Sequence, residues 1–413
     1  MAKLYDYNGK DDGTVCMMPW VFTTVTMKNT IRPCCAFNLD NAVDIKEIKP
    51  GIIEDSFKWL RKDMLAGKKA EACKSCYENE KFTPPGDIQP KSMRGQANTD
   101  YRLDLQNLDE EFIGLKGIEL SLDNICNLQC KMCDSMFSSK LYARDQHLID
   151  IGIQSRKPTK VPKQRIEFIK ALGVDWTALE HIKILGGEPF FSPNFEKLVD
   201  HLLEEGTPDN LVLEIVSNCT NKIDTRIIDK LNLFKEVILT CSLDGINDYN
   251  SYQRWGSPGW EETLGIYEWY QIMLTNTKKR HVHSTYSLLN INGFAADAKW
   301  FALNEPEYRV SFQFVKEGDQ SPYIAPPMYI DWLIEQWESE MDADDWPGGD
   351  CTARVENAIA KLETFNHHHK NHGGDWRDFC QKIPALDKYY DSKLVDYNPD
   401  LHEYLMSDPQ YEV

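Results

Sequence analysis

The alternation of apolar strands with amphipathic helices in the middle of the chain most constrains its fold. Strand patterns lie at 117–122, 181–186, 211–217, 236–243, 281–289 and 309–315. Helical patterns separate them at 138–149, 161–173, 193–205, 222–232, 259–275 and 294–303, with Asn194, Asp224 and Asp297 as start signals. This order predicts parallel strands joined by right-handed crossovers. Six units are too few for a closed eight-stranded barrel, so we expect an α/β partial (β/α)6 barrel with its functional groups at the carboxyl ends of the strands.

The chain of 413 residues divides into three predicted segments. Residues 1–105 are rich in turns and contain five cysteines, and residues 112–318 contain the strand–helix repeats. Residues 325–413 are rich in Trp, Tyr, Asp and Pro, and we expect a mainly helical or irregular extension. His367, His368 and His369, with His372 nearby, are expected to form a solvated loop.

Composition excludes several classes of function. With 46 Lys and Arg against 65 Asp and Glu, the net charge is −19, which argues against a nucleic-acid partner. The chain start lacks the apolar core of a signal peptide, and no apolar run approaches the ~18 residues of a membrane span. We therefore expect a cytoplasmic protein whose twelve cysteines are reduced, metal-bound or buried.

Cys126, Cys130 and Cys133 form a C-x3-C-x2-C loop directly after the first predicted strand of the core. Three thiolates on one short loop can bind three irons of an iron–sulfur cluster and leave the fourth iron open for chemistry. A zinc loop or a set of buried thiols is the alternative, but zinc does not account for the motifs downstream.

Three further motifs follow the next three strands. The second strand runs into Gly186, Gly187, Glu188 and Pro189, where glycines let a backbone approach a ligand and expose peptide groups that can pair with it. Glu188 can accept a hydrogen bond from a ligand ammonium. The third strand ends at Ser217 and Asn218, whose short polar side chains suit a ribose or a carboxylate, and the fourth ends at Ser242 and Asp244. Two-residue alternation places Ser242 and Asp244 on one face of their strand.

The combination of these motifs, in this order, resembles the core of radical SAM enzymes. The resemblance implies a 4Fe–4S cluster on Cys126, Cys130 and Cys133, with S-adenosylmethionine (SAM) chelating the fourth iron. It implies further cofactor contacts from the following residues: Met132 near the adenine, Gly186, Gly187, Glu188 and Pro189 (the GGEP motif) at the SAM amino group, Ser217 and Asn218 at the ribose, and Ser242 and Asp244. This chain has Cys219 where the family often has a glycine.

The N-terminal cysteines form a second pattern. A predicted hairpin, with strands near 20–26 and 30–33, would bring Cys16 and either Cys34 or Cys35 close to Cys73 and Cys76. Four thiolates make a closed site. The pattern resembles the SPASM/twitch auxiliary-cluster module of radical SAM enzymes, here preceding the core, and implies one auxiliary cluster of the 4Fe–4S type. A structural zinc ribbon is the alternative.

The resemblance to radical SAM enzymes implies an enzyme that cleaves SAM reductively to a 5′-deoxyadenosyl radical. The radical abstracts hydrogen from a peptide or protein side chain or from a small metabolite. The resemblance also implies an external electron donor such as a flavodoxin or ferredoxin. The alternatives are an iron–sulfur electron-transfer or scaffold protein on the same fold and an activase that installs a glycyl radical on a partner. Alternation makes Glu119, Ser121 and Glu214 candidate substrate-side groups, and the sequence identifies no catalytic side chain.

Overall fold

The computed structural model describes residues 14–45, 47–81, 92–101, 108–154, 157–158, 160–161, 165–316, 318–366 and 374–411. The predicted histidine loop at 367–369 and the chain start, where we expect no targeting segment, lie outside these ranges. In the described residues, no helix is both long and apolar enough to cross a membrane.

A single nine-stranded sheet organises the molecule. Its strands are β1 (Phe22–Val25), β2 (Thr30–Arg32), β3 (Val43–Asp44), β4 (Gly117–Ser121), β5 (His181–Leu185), β6 (Val212–Ser217), β7 (Glu236–Ser242), β8 (Arg280–Tyr286) and β9 (Tyr308–Phe314). Their order is β3-β2-β1-β4-β5-β6-β7-β8-β9. The strands from β4 to β9 are all parallel, which confirms the predicted open sheet and each of the six predicted strands.

The N-terminal hairpin is part of this sheet. As predicted, β1 and β2 pair antiparallel around a turn at residues 26–29. In addition, β1 pairs in parallel with β4, so the hairpin extends the core sheet. The division between residues 105 and 112 stays a prediction, and the sheet itself crosses it.

Helices cover one face of the sheet and build the C-terminal region. They are α1 (Met18–Val21), α2 (Ile52–Ser56), α3 (Lys58–Leu65), α4 (Lys74–Lys81), α5 (Met93–Asp100), α6 (Tyr142–Asp150), α7 (Arg165–Lys170), α8 (Pro193–Glu205), α9 (Thr225–Leu231), α10 (Asp248–Gln253), α11 (Trp260–Met273), α12 (Phe294–Asn304), α13 (Pro327–Met341), α14 (Asp350–Asn366), α15 (Trp376–Tyr390), α16 (Leu394–Tyr397) and α17 (Pro399–Met406). The predicted core helices correspond to α6, α7, α8, α9, α11 and α12. The predicted helical C-terminal region is confirmed by α13 to α17, which share a second apolar core.

Helix starts agree only partly with the predicted signals. Asp224 caps α9 by accepting a hydrogen bond from the Arg226 N–H, as expected. The expectation for Asn194 is wrong, because Ser192 caps α8 and a proline follows at its first position. Asp297 lies inside the first turn of α12, where it binds other elements instead of capping the helix.

The two faces of the sheet differ in polarity. In β6, Leu213 and Ile215 are fully buried in the apolar core formed with the helices. The alternate residues of β4, β5 and β6 include Glu119, Lys183 and Glu214, which point to the opposite face, here called the inner face.

Candidate functional site

The cysteine loop leaves the carboxyl end of β4 and is fixed by the neighbouring strand. The Leu122 N–H donates to the Leu185 carbonyl at 2.8 Å, which continues the sheet pairing into the loop. Cys126, Cys130 and Cys133 follow, and all three are free and partly accessible. The thiols therefore lie at the edge of the sheet where a parallel α/β fold places its chemistry.

Helix α6 holds the backbone of this loop through Arg144. The buried guanidinium donates to the carbonyl oxygens of Cys130 at 3.2 Å and Cys133 at 2.5 Å. Asp145 orients Arg144 by an ion pair of 2.5 Å and accepts from the Ser135 N–H at 2.8 Å. The loop is therefore positioned by hydrogen bonds to its backbone, which leaves the thiols free for ligation.

The segment after α10 binds the loop from a second side. The Gln129 N–H donates to the Trp255 carbonyl at 2.9 Å, and the Lys131 N–H donates to the Gln253 carbonyl at 2.7 Å. The side chain of Lys131 is fully buried against the rings of Tyr252, at 3.2 Å from the centroid, and Trp255, at 5.3 Å. Such contacts stabilise a desolvated cation.

The two glycines after β5 serve the cysteine loop. A Cβ on Gly187 would lie 2.4 Å from the Ile125 carbonyl oxygen, and one on Gly186 would lie 2.8 Å from that of Asp123. The Gly187 N–H donates to the Asp123 carbonyl at 2.6 Å, and the Glu188 N–H to the Ile125 carbonyl at 2.9 Å. The Gly187 and Glu188 N–H groups are therefore bound to the cysteine loop, and the exposure of the other peptide groups of this turn to a ligand stays a prediction.

Glu188 joins the ends of β5 and β6. Its buried carboxylate accepts hydrogen bonds from the Phe190 N–H at 2.9 Å, the Ser217 hydroxyl at 2.8 Å and the Asn218 N–H at 2.6 Å. Burial raises the pKa of Glu188 to about 7, and these donors oppose that shift. A carboxylate offers about four acceptor positions, so one remains for a ligand ammonium.

The turn after β6 closes on the cysteine loop. The Asn218 amide donates to the Asn127 side-chain oxygen at 2.8 Å, and Asn127 donates to the Thr220 hydroxyl at 2.7 Å. Cys219 has a φ of 50°, in the left-handed region that glycine prefers. A cysteine with a fully buried side chain thus occupies a backbone conformation that glycine prefers.

Asp244 binds Arg254 beside the cysteines. The fully buried Asp244 carboxylate lies 2.7 Å from the Arg254 Nε and accepts from the Thr285 N–H at 2.8 Å and the Gln253 amide at 3.1 Å. The Arg254 guanidinium in turn opposes the burial that raises the pKa of Cys130. Asp244 therefore positions a cation at the edge of the thiol site.

The other predicted contact residues lie at the same edge. Met132 is half-buried within the cysteine loop, and Ser242 is half-buried at the end of β7, directly opposite His283 of β8. Pro189 is buried in the turn that follows Glu188. The structure thus brings the predicted residues of four strand ends together.

The donor set of the loop fits an iron–sulfur cluster. Burial raises the pKa of Cys126, that of Cys130 to about 12, and that of Cys133. Thiols bind iron as thiolates, so loading displaces protons that burial otherwise retains. Within the described part of the chain, no set of three or more His, Cys, Asp or Glu side chains is placed so that it could hold a single metal ion.

A second set of thiols lines a cavity in the N-terminal region. The cavity has about 300 Å³ of empty space, including space open to solvent. Its walls are formed by Cys16, Cys34, Ala36, Phe37, Met64, Cys73, Cys76, Tyr77 and Arg94. The predicted four cysteines are therefore together, with apolar and aromatic side chains around them.

The consecutive residues Cys34 and Cys35 differ in their position relative to this cavity. Cys34 is buried and lines the cavity, whereas the Cys35 side chain is open to solvent. Partial desolvation raises the pKa of Cys35 to about 11. The Glu119 carboxylate adds to this shift, whereas the charges of Lys183 and Arg32 oppose it. Cys35 therefore lies outside the cavity that Cys34 lines.

Backbone N–H groups and a paired arginine surround the cavity. Hydrogen bonds from the N–H groups of Arg94 and Met93, at the start of α5, oppose the burial that raises the pKa of Cys76. Arg94 binds Glu80 through two contacts of 2.6 and 2.9 Å. N–H groups directed at sulfur are a common feature of iron–sulfur sites.

The fold and this edge define an α/β protein with an open parallel sheet and a thiol site at its carboxyl ends. Residues 120–282 match the family model described as Radical SAM superfamily. The chain therefore contains a radical SAM domain, a domain of enzymes, and the match leaves the class of reaction open.

The chain is also similar to several solved structures, whereas no curated protein matches it. Against anSMEcpe with bound AdoMet and Cp18Cys peptide, the identity is 14%, over 55% of this chain and 60% of that chain, with a TM-score of 0.35. Against Streptococcus suis SuiB bound to precursor peptide SuiA, it is 11%, over 92% and 79%, with a TM-score of 0.34. Against TYW1 with a lysine-pyruvate adduct, it is 15%, over 54% and 73%, with a TM-score of 0.29. The chain thus spans about three fifths of the length of anSMEcpe.

Sequence reasoning missed three charged residues that build these sites. Lys131 stands between two of the predicted ligands, which was a usable signal. Arg94 lies at the start of α5 and Arg254 follows α10, and neither residue belongs to a motif. For Arg94 and Arg254, only the three-dimensional arrangement indicates a role.

Proposed function

We propose that this chain is a radical SAM enzyme whose SAM-binding 4Fe–4S cluster is held by Cys126, Cys130 and Cys133. One observation carries the proposal. The cysteine loop, the Gly186–Gly187 turn and the Ser217–Asn218 turn follow three adjacent strands and are joined by hydrogen bonds through Glu188 and Asn127. When bound, the cluster and SAM supply an electron and a 5′-deoxyadenosyl radical that abstracts hydrogen from the substrate.

The chain's own residues would bind and orient the cofactor. Glu188 has one acceptor position left, which would bind the ammonium group of SAM. The Arg254 cation lies near Cys130 and would bind the carboxylate of SAM. The Asn218 and Ser242 side chains would face the ribose, and Met132 would pack near the adenine. Asp244 would act through Arg254, because the protein already binds both of its oxygens.

The N-terminal cavity would hold one auxiliary cluster. Its ligands would be Cys16, Cys34, Cys73 and Cys76, because these four thiols share the cavity and Cys35 does not. The N–H groups at the start of α5 support a cluster over a zinc ribbon, since they can stabilise thiolates and sulfides. We infer a SPASM/twitch-like module from these residues.

The substrate would be a peptide or protein side chain or a small metabolite that reaches the inner face of the sheet. We further propose an oxidoreductase-type reaction, a flavodoxin or ferredoxin as electron donor and a cytoplasmic location. Twelve free cysteines are consistent with a reducing compartment.

Anaerobic reconstitution tests the proposal. Iron and sulfide are counted per chain, and EPR spectra are recorded with and without SAM. We expect about eight irons, four for each cluster, and one signal that SAM changes. About four irons that respond to SAM, with zinc at the N-terminal cysteines, would keep the enzyme and overturn the auxiliary cluster. No SAM-sensitive signal would leave an iron–sulfur or zinc scaffold.

A further inference from the structure

A row of polar residues crosses five strands on the inner face of the sheet. Arg32 of β2 lies opposite Thr24 of β1, which lies opposite Glu119 of β4. Glu119 lies opposite Lys183 of β5, which lies opposite Glu214 of β6. Directly opposite residues share one face with their Cβ atoms about 4.5–5.5 Å apart, so these five side chains form one continuous surface.

One half of this row is internally paired. The Lys183 ammonium lies 2.6 Å from one oxygen of Glu214, and the His181 Nε2 lies 3.3 Å from the other. Although burial opposes it, His181 and Lys183 lower the pKa of Glu214 to about 2. This half satisfies its own charges and needs no ligand.

The other half consists of Arg32, Thr24 and Glu119, and its charges are not paired in this way; it is called the open half below. Among the described residues, neither Arg32 nor Glu119 forms an ion pair, and Glu119 is only 5% exposed. The Arg32 Nε and the Thr24 hydroxyl oxygen are buried atoms without a hydrogen-bond partner in the described structure. Within the described part of the chain, the Arg32 side chain donates one hydrogen bond, to the Phe37 carbonyl at 3.4 Å. Arg32, Thr24 and Glu119 thus lie side by side on the inner face, and neither charge is held in an ion pair among the described residues.

Buried polar groups without partners are costly, and a fold that required only stability would close such a pair or replace it with apolar residues. The ion pair between Lys183 and Glu214 shows that opposite charges on neighbouring strands of this sheet can bind each other directly. The open half therefore favours a ligand that supplies both missing charges.

The position of the open half suits a substrate of the proposed enzyme. Glu119 lies two residues before the end of β4, from which the cysteine loop departs. Arg32, the last residue of β2, lies two residues before Cys34, which lines the N-terminal cavity. The open half therefore lies between the two thiol sites.

We propose that Arg32, Thr24 and Glu119 form a substrate subsite for a zwitterionic amino-acid group, with its carboxylate at Arg32 and its ammonium at Glu119. This rests on the proposed function, in which the inner face receives the substrate. It narrows the substrate class to molecules that carry a free amino-acid end, because a uniformly apolar or singly charged group would leave one of the two charges unpaired.

Three small probes with related alkyl chains test the subsite without turnover. L-2-Aminobutyrate carries both charges, butyrate only the carboxylate and propylamine only the ammonium. Their binding to the anaerobically reconstituted protein with SAM is measured by ligand-observed NMR. We expect 2-aminobutyrate to bind at least about tenfold more tightly than either single-charge probe, as each charge-assisted hydrogen bond contributes.

Two variants assign the charges. Glu119→Gln should reduce 2-aminobutyrate binding to the level of butyrate, and Arg32→Gln should reduce it to the level of propylamine. Arg32→Lys should retain most of the binding, which separates the role of the charge from an effect on Cys34, two residues further along the chain. Glu268→Gln, on helix α11 and paired with Arg280, is the matched control and should change nothing.

Equal binding of the three probes, no binding of 2-aminobutyrate, or insensitivity to both Glu119→Gln and Arg32→Gln would overturn the subsite. If Arg32→Gln loses iron, the Glu119→Gln result alone decides. SAM cleavage measured on the same samples keeps the two proposals separate. Intact cleavage without probe selectivity overturns only the subsite, and selective binding without cleavage overturns only the proposed enzyme.

Discussion

The Lys131 ammonium lies 3.1 Å from the Asp387 carboxylate, an ion pair that joins the cysteine loop to helix α15, 256 residues further along the chain. Asp387 also accepts hydrogen bonds from the Tyr252 hydroxyl and the Ser392 hydroxyl, both at 2.8 Å, and from the Leu394 N–H at 2.7 Å. The C-terminal region is therefore part of the structure that shapes the thiol site.

Asp387→Asn should destabilise the protein by about 3–5 kcal/mol, because it leaves the fully buried Lys131 cation without its counter-ion. Lys131→Met should cost less, since Asp387 keeps three other donors. Urea unfolding measures both, and iron retention reports on the loop. Lys382→Met breaks another pair on α15, to Asp319, and should leave the iron content unchanged. Equal iron loss in all three variants would contradict a specific role for Lys131.

Gly187→Ala should abolish loading of the SAM cluster. The added Cβ would meet the Ile125 carbonyl oxygen at 2.4 Å, and backbone atoms cannot move aside without shifting the cysteine loop. We expect the iron count to fall from about eight to about four, because the N-terminal site is separate. Gly265→Ala is the matched control: apart from the adjoining helix backbone, no described atom lies within 4 Å of its added Cβ, so stability should rise by up to about 1 kcal/mol. Full iron loading of Gly187→Ala would show that the close contact is not required.

Asp297 should make the protein less stable as the pH rises. Burial raises the pKa of Asp297 from 3.8 to about 7, while hydrogen bonds from the Tyr286 hydroxyl and the Ile246 N–H oppose the shift. Between these two pKa values, the folded protein holds a proton that the unfolded chain releases. The free energy of unfolding therefore falls by about 4 kcal/mol as the pH rises from about 4 through 7. Asp297→Asn should remove this difference, as measured by urea unfolding of both proteins at pH 5 and 8. An unchanged pH dependence in the variant would refute this assignment.

Cys34→Ser and Cys35→Ser should differ in iron content. Cys34 lines the four-cysteine cavity, whereas Cys35 lies outside it and is exposed. We expect Cys34→Ser to lose about four irons and Cys35→Ser to lose none. Iron analysis after anaerobic reconstitution distinguishes them, and the reverse pattern would exchange their roles.

The sequence predicted the strands and the hairpin because each depends on local patterns of apolar residues and turns. Cys34 and Cys35 could not be separated, since neighbouring side chains of an irregular segment are directed by tertiary contacts. The parallel pairing of β1 with β4 joins residues far apart in the chain and leaves no local signal. Arg254 was missed for the same reason, because its partner Asp244 is fixed only by the fold.

Asn194 and Cys219 show how local rules were overridden. Ser192 is two residues earlier than Asn194 and is followed by a proline that favours the first helical position, so it caps α8. Asn194 instead donates to Asp123 at 2.8 Å, next to the cysteine loop. Cys219 accepts a left-handed backbone because the hydrogen bonds of Ser217 and Asn218 fix the turn around it.

SAM cleavage by two cysteine variants tests the central claim most directly. Production of 5′-deoxyadenosine is measured under reducing, anaerobic conditions for Cys130→Ala and Cys76→Ala. We predict that Cys130→Ala abolishes cleavage, because it removes a ligand of the SAM cluster, whereas Cys76→Ala retains at least the uncoupled reaction. Normal cleavage by Cys130→Ala would contradict the assignment of this loop as the site of radical chemistry.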